Sequence, residues 1–103
     1  MIILKDVVGF DWDEGNSRKS DRHDVSMAEA EQVFFSLPVL MLPDSAHSQA
    51  EPRYHALGRT IKGRRLHVTF SLRESGKLIR VVSARDMSRK ERKHYDQAAQ
   101  DNP

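Results

Sequence analysis

The chain has 103 residues, 38% of them apolar and 31% charged, which suits a single domain over 1–103 with a small core. No apolar run approaches the roughly 18–20 residues of a membrane span. Met1-Ile2-Ile3-Leu4 meets Lys5 and Asp6 too soon for a signal sequence, and the lack of cysteine excludes a disulfide scaffold, a thiolate zinc site and a cysteine nucleophile. These features point to the cytoplasm. The net charge of +2 is unevenly spread. Residues 1–52 hold four bases against ten acids, and residues 53–103 hold thirteen bases against five acids. A second half this basic suits a polyanion, most commonly RNA or DNA.

In chain order, Val7–Trp12 reads as a strand with Val8, Phe10 and Trp12 on one face. Asp13–Asp24 has no apolar side chain and reads either as a short polar helix capped by Asp11 or Asp13, the favoured reading, or as a loop. Ser26 and Glu29 have capping-box spacing. The helix they open, Ser26–Leu37, carries Met27, Ala30, Val33, Phe34 and Leu37 at helical spacing and is stopped by Pro38. Val39–Leu42 is a short strand near an edge, and Pro43–Pro52 an exposed loop.

A meander follows. Arg53–Ile61 alternates, Lys62-Gly63 marks a tight turn, and Arg65–Leu72 places Leu66, Val68, Phe70 and Leu72 on one face, with His67, Thr69 and Ser71 on the other. Glu74-Ser75-Gly76 turns the chain into Leu78–Arg85, rich in Ile and Val. Ser88 and Glu91 form a second capping box. The last helix, to about Gln100, carries Arg89, Lys90, Arg92 and Lys93. Its apolar content is thin, and Tyr95 is expected to pack it onto the sheet. The order predicts an α+β fold with a mostly antiparallel sheet, two N-terminal helices and one C-terminal helix packed against it.

Phe10-Asp11-Trp12-Asp13-Glu14-Gly15-Asn16, His23, Val25-Ser26, Glu29-Ala30 and Val33-Phe34 resemble the N-terminal half of BrnT-type toxins. The middle adds Asp44, His47-Ser48, Glu51, Arg53-Tyr54, Leu57-Gly58 and Gly63-Arg64. Arg80-Val81-Val82-Ser83-Ala84-Arg85, Glu91-Arg92 and Tyr95 complete the series. The resemblance spans about residues 9–96, in order. It implies a RelE-like fold and a ribonuclease that arrests growth. It also implies a cognate DNA-binding antitoxin, BrnA-like, in a heterotetramer or similar complex. The chain departs from the family pattern where Lys19-Ser20-Asp21-Arg22-His23-Asp24 is one residue short, with Ser20 for Asn and Asp24 for Gly, and where Pro52 replaces a Glu.

RNA cleavage without a metal needs a base for the ribose 2′-OH, cations for the phosphorane oxygens and an acid for the leaving 5′-oxygen. Arginine matches phosphate geometry and keeps its charge, so Arg64 and Arg80 are candidates for the catalytic cations, with Arg53, Arg65 and Arg85 as RNA contacts. His23 is the candidate acid or base. Lys19, one helical turn earlier, would share its face. Glu51, beside Arg53, is either a base or an arginine partner. Trp12 is either a base-stacking platform or a core anchor. The five histidines include no H-x-H or H-x-x-x-H pair, so no metal ligand and no cofactor is assigned. The expected function is therefore a metal-independent endoribonuclease toxin acting by 2′-OH attack. The alternatives are a non-catalytic nucleic-acid-binding domain and a protein-interaction domain.

Overall fold

A computed structural model describes residues 4–21, 23–44 and 51–101, and over 19–21 the backbone alone. The elements are β1 (Gly9–Phe10), α1 (Glu14–Asp21), α2 (Met27–Val33), β2 (Leu40–Asp44), β3 (Arg53–Arg59), β4 (Arg65–Arg73), β5 (Leu78–Asp86) and α3 (Arg89–Asp101). The fold is α+β, with a five-stranded sheet in the order β1-β5-β4-β3-β2. β2 to β5 pair antiparallel, but β1 runs parallel to β5, so the sheet is mixed. β1 and β2 form the two edges of the sheet, and helices α1 and α2 lie in the connection between them.

The first strand is shorter than its alternation suggests. Only Gly9 and Phe10 pair, flanked by bonds from Val8 N–H to Lys77 and from Asp11 N–H to Ile79. Val8 is exposed, whereas Phe10 and Trp12 pack against the core. The polar helix is present and is held by polar contacts. Asp13 accepts from the Asn16 N–H, Asn16 Oδ1 accepts from the Asp13 N–H, and buried Asn16 donates to the Asp11 carbonyl. These bonds seat α1 against β5 without any apolar face.

The Ser26–Glu29 capping box forms with both reciprocal bonds. The helix ends at Val33, not Leu37. Phe34 caps it, and the turn through Ser36 carries Leu37 out into solvent. Ala30, Val33 and Phe34 meet Val68, Phe70, Ile79 and Val81 in one core, and Phe34 meets Phe70 edge-on at 5.0 Å. β2 extends past Leu42 through Pro43 to Asp44, which an edge strand allows because proline's missing N–H faces outward. The rest of the expected 43–52 loop, including His47, lies outside the described residues up to Glu51. β3 stops at Arg59, leaving Ile61 exposed on the turn through Gly63.

The sheet has two working faces, because successive strand residues alternate. Tyr54, Ala56, Leu66, Val68, Phe70, Ile79 and Val81 face α2. On the other face, α3 covers one end by packing Tyr95 on Leu40, Leu57 and Met87, and the Tyr95 hydroxyl donates to the Pro38 carbonyl at 2.7 Å. The remainder of that face is polar.

Candidate functional site

The pairing register lays out the second face in rows. One row is Leu40, Leu57, His67 and Arg85, the next is Leu42, His55, Thr69 and Ser83, and the third is Asp44, Arg53, Ser71 and Arg80. Arg80 and Arg85 differ by five positions and would fall on opposite faces of a regular strand. A bulge prevents this: Thr69 pairs with Ser83 and Phe70 with Val81, so Val82 is the extra residue. The bulge keeps Val81 and Ala84 in the core and puts both arginines on the polar face.

At the α1 end of this face is a polar pocket of about 230 Å³, lined by Gly15, Asn16, Glu51, Arg53, Ser71, Arg73, Arg80, Val81 and Val82. Arg80 is held there by Asp13 at 2.9 Å and Asp11 at 3.5 Å. The Asp13 carboxyl is held below its usual range, first by the Asn16 backbone N–H and then by Arg80. Glu51 pairs with Arg73 at 3.2 Å. Ser71 is fully buried, and its hydroxyl has no hydrogen-bond partner among the described residues. A buried hydroxyl left unpaired costs about 1–3 kcal/mol, so an acceptor entering this pocket would relieve it.

A second cluster occupies the middle of the face. Asp44 Oδ2 lies 2.9 Å from His55 Nε2, and His55 Nδ1 lies 2.9 Å from His67 Nε2 and 3.0 Å from the Thr69 hydroxyl. His67 Nδ1 is 2.8 Å from Glu91 Oε2 and 2.8 Å from Arg85 Nη2. Arg85 also donates to both Glu91 oxygens, at 2.9 and 3.1 Å. Burial pushes the His67 imidazole below its ordinary value. Glu91 opposes this, and the Arg85 charge reinforces it. For Glu91, burial pushes the carboxyl up, but Arg85, the Ser88 backbone N–H and His67 outweigh it and bring it down to about 2.

The expected site residues divide between the ends of the sheet. Arg80, Arg53 and Glu51 share the pocket, and Arg85 lies two rows away. Arg64 is elsewhere. Its guanidinium donates to both Asp86 oxygens at 2.8 and 3.0 Å, to Glu29 at 3.2 Å and to the carbonyls of Asp24 at 2.7 Å and His23 at 3.2 Å. These bonds clasp the β3–β4 turn to the start of α2, and the Asp86 carboxylate in particular raises the Arg64 pKa. Asp86 is opposite Leu66 while Arg80 is opposite Ser71, so the clasp and the pocket are separated by five strand residues, about 17 Å. His23 is exposed at the clasp end. Arg65 pairs with Asp96. Trp12 packs on the core and donates to Glu31 at 2.8 Å. The Lys19 side chain lies outside the described residues.

Sequence reasoning missed the cluster of Asp44, His55, His67 and Glu91. The signal available was His67 on the polar side of its strand, with His55 at the same parity on the strand before. Among the described residues, no three histidines or carboxylates converge as metal ligands.

Arg53, Arg73 and Arg80 thus meet at one pocket on the polar face of a small α+β domain. The chain matches the family model for the ribonuclease toxin BrnT of type II toxin–antitoxin systems over residues 12–91, more than three quarters of its length, and belongs to that family. It is accordingly a ribonuclease toxin, with RNA as substrate and an antitoxin as partner. No match is found among curated proteins. Among the described residues no helix is long and apolar enough to cross a membrane.

Proposed function

We propose that the chain is a metal-independent endoribonuclease of RelE-like type that arrests growth in the cytoplasm by cutting RNA through its own 2′-OH. The observation that carries this reading is the buried Ser71 hydroxyl, without a partner among the described residues, lining a pocket with Arg53 and Arg80. A phosphodiester seated there accepts from Ser71 and lies between two guanidinium groups, which stabilise the charge that builds on the phosphorane. Asp11 and Asp13 hold Arg80 in place, so its orientation is fixed before substrate arrives. Glu51, paired with Arg73 at the pocket, takes the 2′-OH proton in this reading. Lys19 belongs to α1, whose Gly15 and Asn16 line the pocket.

Arg64 and His23 act from the other end of the sheet by holding the frame. Arg65 and Arg85 extend the RNA contact surface beyond the scissile phosphate, while Trp12 serves as the core anchor. A BrnA-like, DNA-binding antitoxin neutralises the toxin in a heterotetramer or similar assembly by laying an acidic segment over the basic half of the chain.

Induced expression tests this. Wild-type chain should stop growth and shorten cellular RNA, and Arg80→Ala should restore growth at equal protein level. Purified wild-type chain should cleave RNA in the presence of EDTA. Growth arrest by Arg80→Ala, or cleavage abolished by EDTA, would contradict the reading.

A further inference from the structure

We propose that His55 and His67 work as one titrating unit, a proton shared between two rings, and that this unit is the general acid that protonates the leaving 5′-oxygen. The inference rests on the ribonuclease reading above. Its basis is a proton count. Three contacts join the rings to each other and to their flanking carboxylates: Asp44 to His55 Nε2, His55 Nδ1 to His67 Nε2, and His67 Nδ1 to Glu91. Each needs one N–H. Two neutral imidazoles supply only two N–H groups, and two imidazolium ions would set N–H against N–H across 2.9 Å. The pair therefore satisfies these three contacts when it carries a single extra proton, at the cost of turning the His67 Nδ1 hydrogen toward Arg85 Nη2, and its protonation belongs to the pair and not to either ring.

The deprotonated state is also accommodated. Arg85 Nη2 lies 2.8 Å from His67 Nδ1 and donates to it once that nitrogen loses its hydrogen. Asp44 from β2 and Glu91 from α3 favour the proton. Arg85 from β5, and Arg53 in the row beside His55, disfavour it. Both states thus have partners, as a group that gives and regains a proton requires.

The location fits the reaction. His55 is two residues from Arg53 on the same strand face, one row from the Arg53–Ser71–Arg80 phosphate pocket, about 7 Å along the strand. The 2′-oxygen attacks phosphorus and the bond from phosphorus to the 5′-oxygen breaks. The 2′-OH proton goes to the base, and the pair's proton goes to the 5′-oxygen. The products are a 2′,3′-cyclic phosphate and a 5′-hydroxyl. The neutral pair then takes a proton from water.

The test combines ring-nitrogen NMR of the full chain with pH–rate profiles on an RNA oligonucleotide. His55 and His67 should lose one proton between them in a single shared step as pH rises, and wild-type cleavage should fall through that same step. His55→Gln and His67→Gln should cleave about 10²–10⁴-fold more slowly and lose that fall, with RNA affinity within about threefold of wild type. His94→Gln should keep the wild-type profile. Asp44→Asn, which leaves both rings in place, should move the shared step and the fall in rate together to lower pH. Two independent ring titrations, or glutamine variants that retain the fall, overturn the proposal while leaving the ribonuclease reading intact. A wild-type chain that cleaves no RNA at any pH overturns that reading and the acid role with it.

Discussion

Arg64 and Arg80 show how one residue type serves two purposes. Arg64 spends its donors on Asp86, Glu29 and two loop carbonyls, so Arg64→Ala should cost about 1–3 kcal/mol through lost charged hydrogen bonds, read as a lower midpoint in urea. Arg80→Ala also loses charged bonds, to Asp13 and Asp11, and should lower that midpoint too, but it alone should lower the cleavage rate about 10²-fold or more, beyond any loss of RNA affinity, because its charge matters most in the transition state. Glu91 supplies a pH prediction. Its folded pKa of about 2 lies below its ordinary value of 4.5, so its stabilisation is complete above the ordinary value and is lost as pH falls from about 4.5 towards 2. Denaturation followed across that window should show Glu91→Gln with a flatter acid dependence than wild type. A wild-type slope in the variant would place the acid sensitivity elsewhere. The sequence offered several arginines without separating the clasp from the pocket: the difference lies in the carboxylates facing each one, and Asp86, Asp11 and Asp13 are brought there by register and loop path.

At the scale of elements, legibility followed the strength of the apolar pattern. The meander strands and α2 announced themselves by period, and both capping boxes form as spaced. β1 and α1 were less legible because polar bonds hold them. Asn16 is buried in a helix with no apolar residue, so no periodicity could report it. The bulge at Val82 was invisible for a related reason: Val82 is as strand-prone as its neighbours, and only the partner strand reveals it as extra. The contact between α2 and the sheet gives a paired test. A Cβ on Gly58 would lie 2.5 Å from Ser36 Oγ and 2.8 Å from the Val33 carbonyl oxygen, so Gly58→Ala must push α2 outward, at about 1–3 kcal/mol. Phe70→Ala should cost about 3–5 kcal/mol from the centre of the same contact. Thermal melts resolve both, and a wild-type melting temperature for either would show that α2 does not seat as described.

For the whole molecule, the sheet divides the labour. One face, closed by α2, holds the core; the other, half covered by α3, keeps a polar strip where arginines, histidines and carboxylates meet. The charge asymmetry between the chain's halves foreshadowed this strip, since β3, β4 and β5 come from the basic half. Acidic residues of the first half fold back to position its cations, as Asp11 and Asp13 do for Arg80. The central claim is that this face cuts RNA by attack of the 2′-OH. The most direct measurement is the end chemistry of a cleaved oligonucleotide, with a matched substrate carrying 2′-deoxyribose at the cut position. The account predicts a 2′,3′-cyclic phosphate and a 5′-hydroxyl from the RNA, and binding without cleavage for the deoxy substrate. A 5′-phosphate product, or cleavage of the deoxy substrate at the RNA's rate, would contradict it.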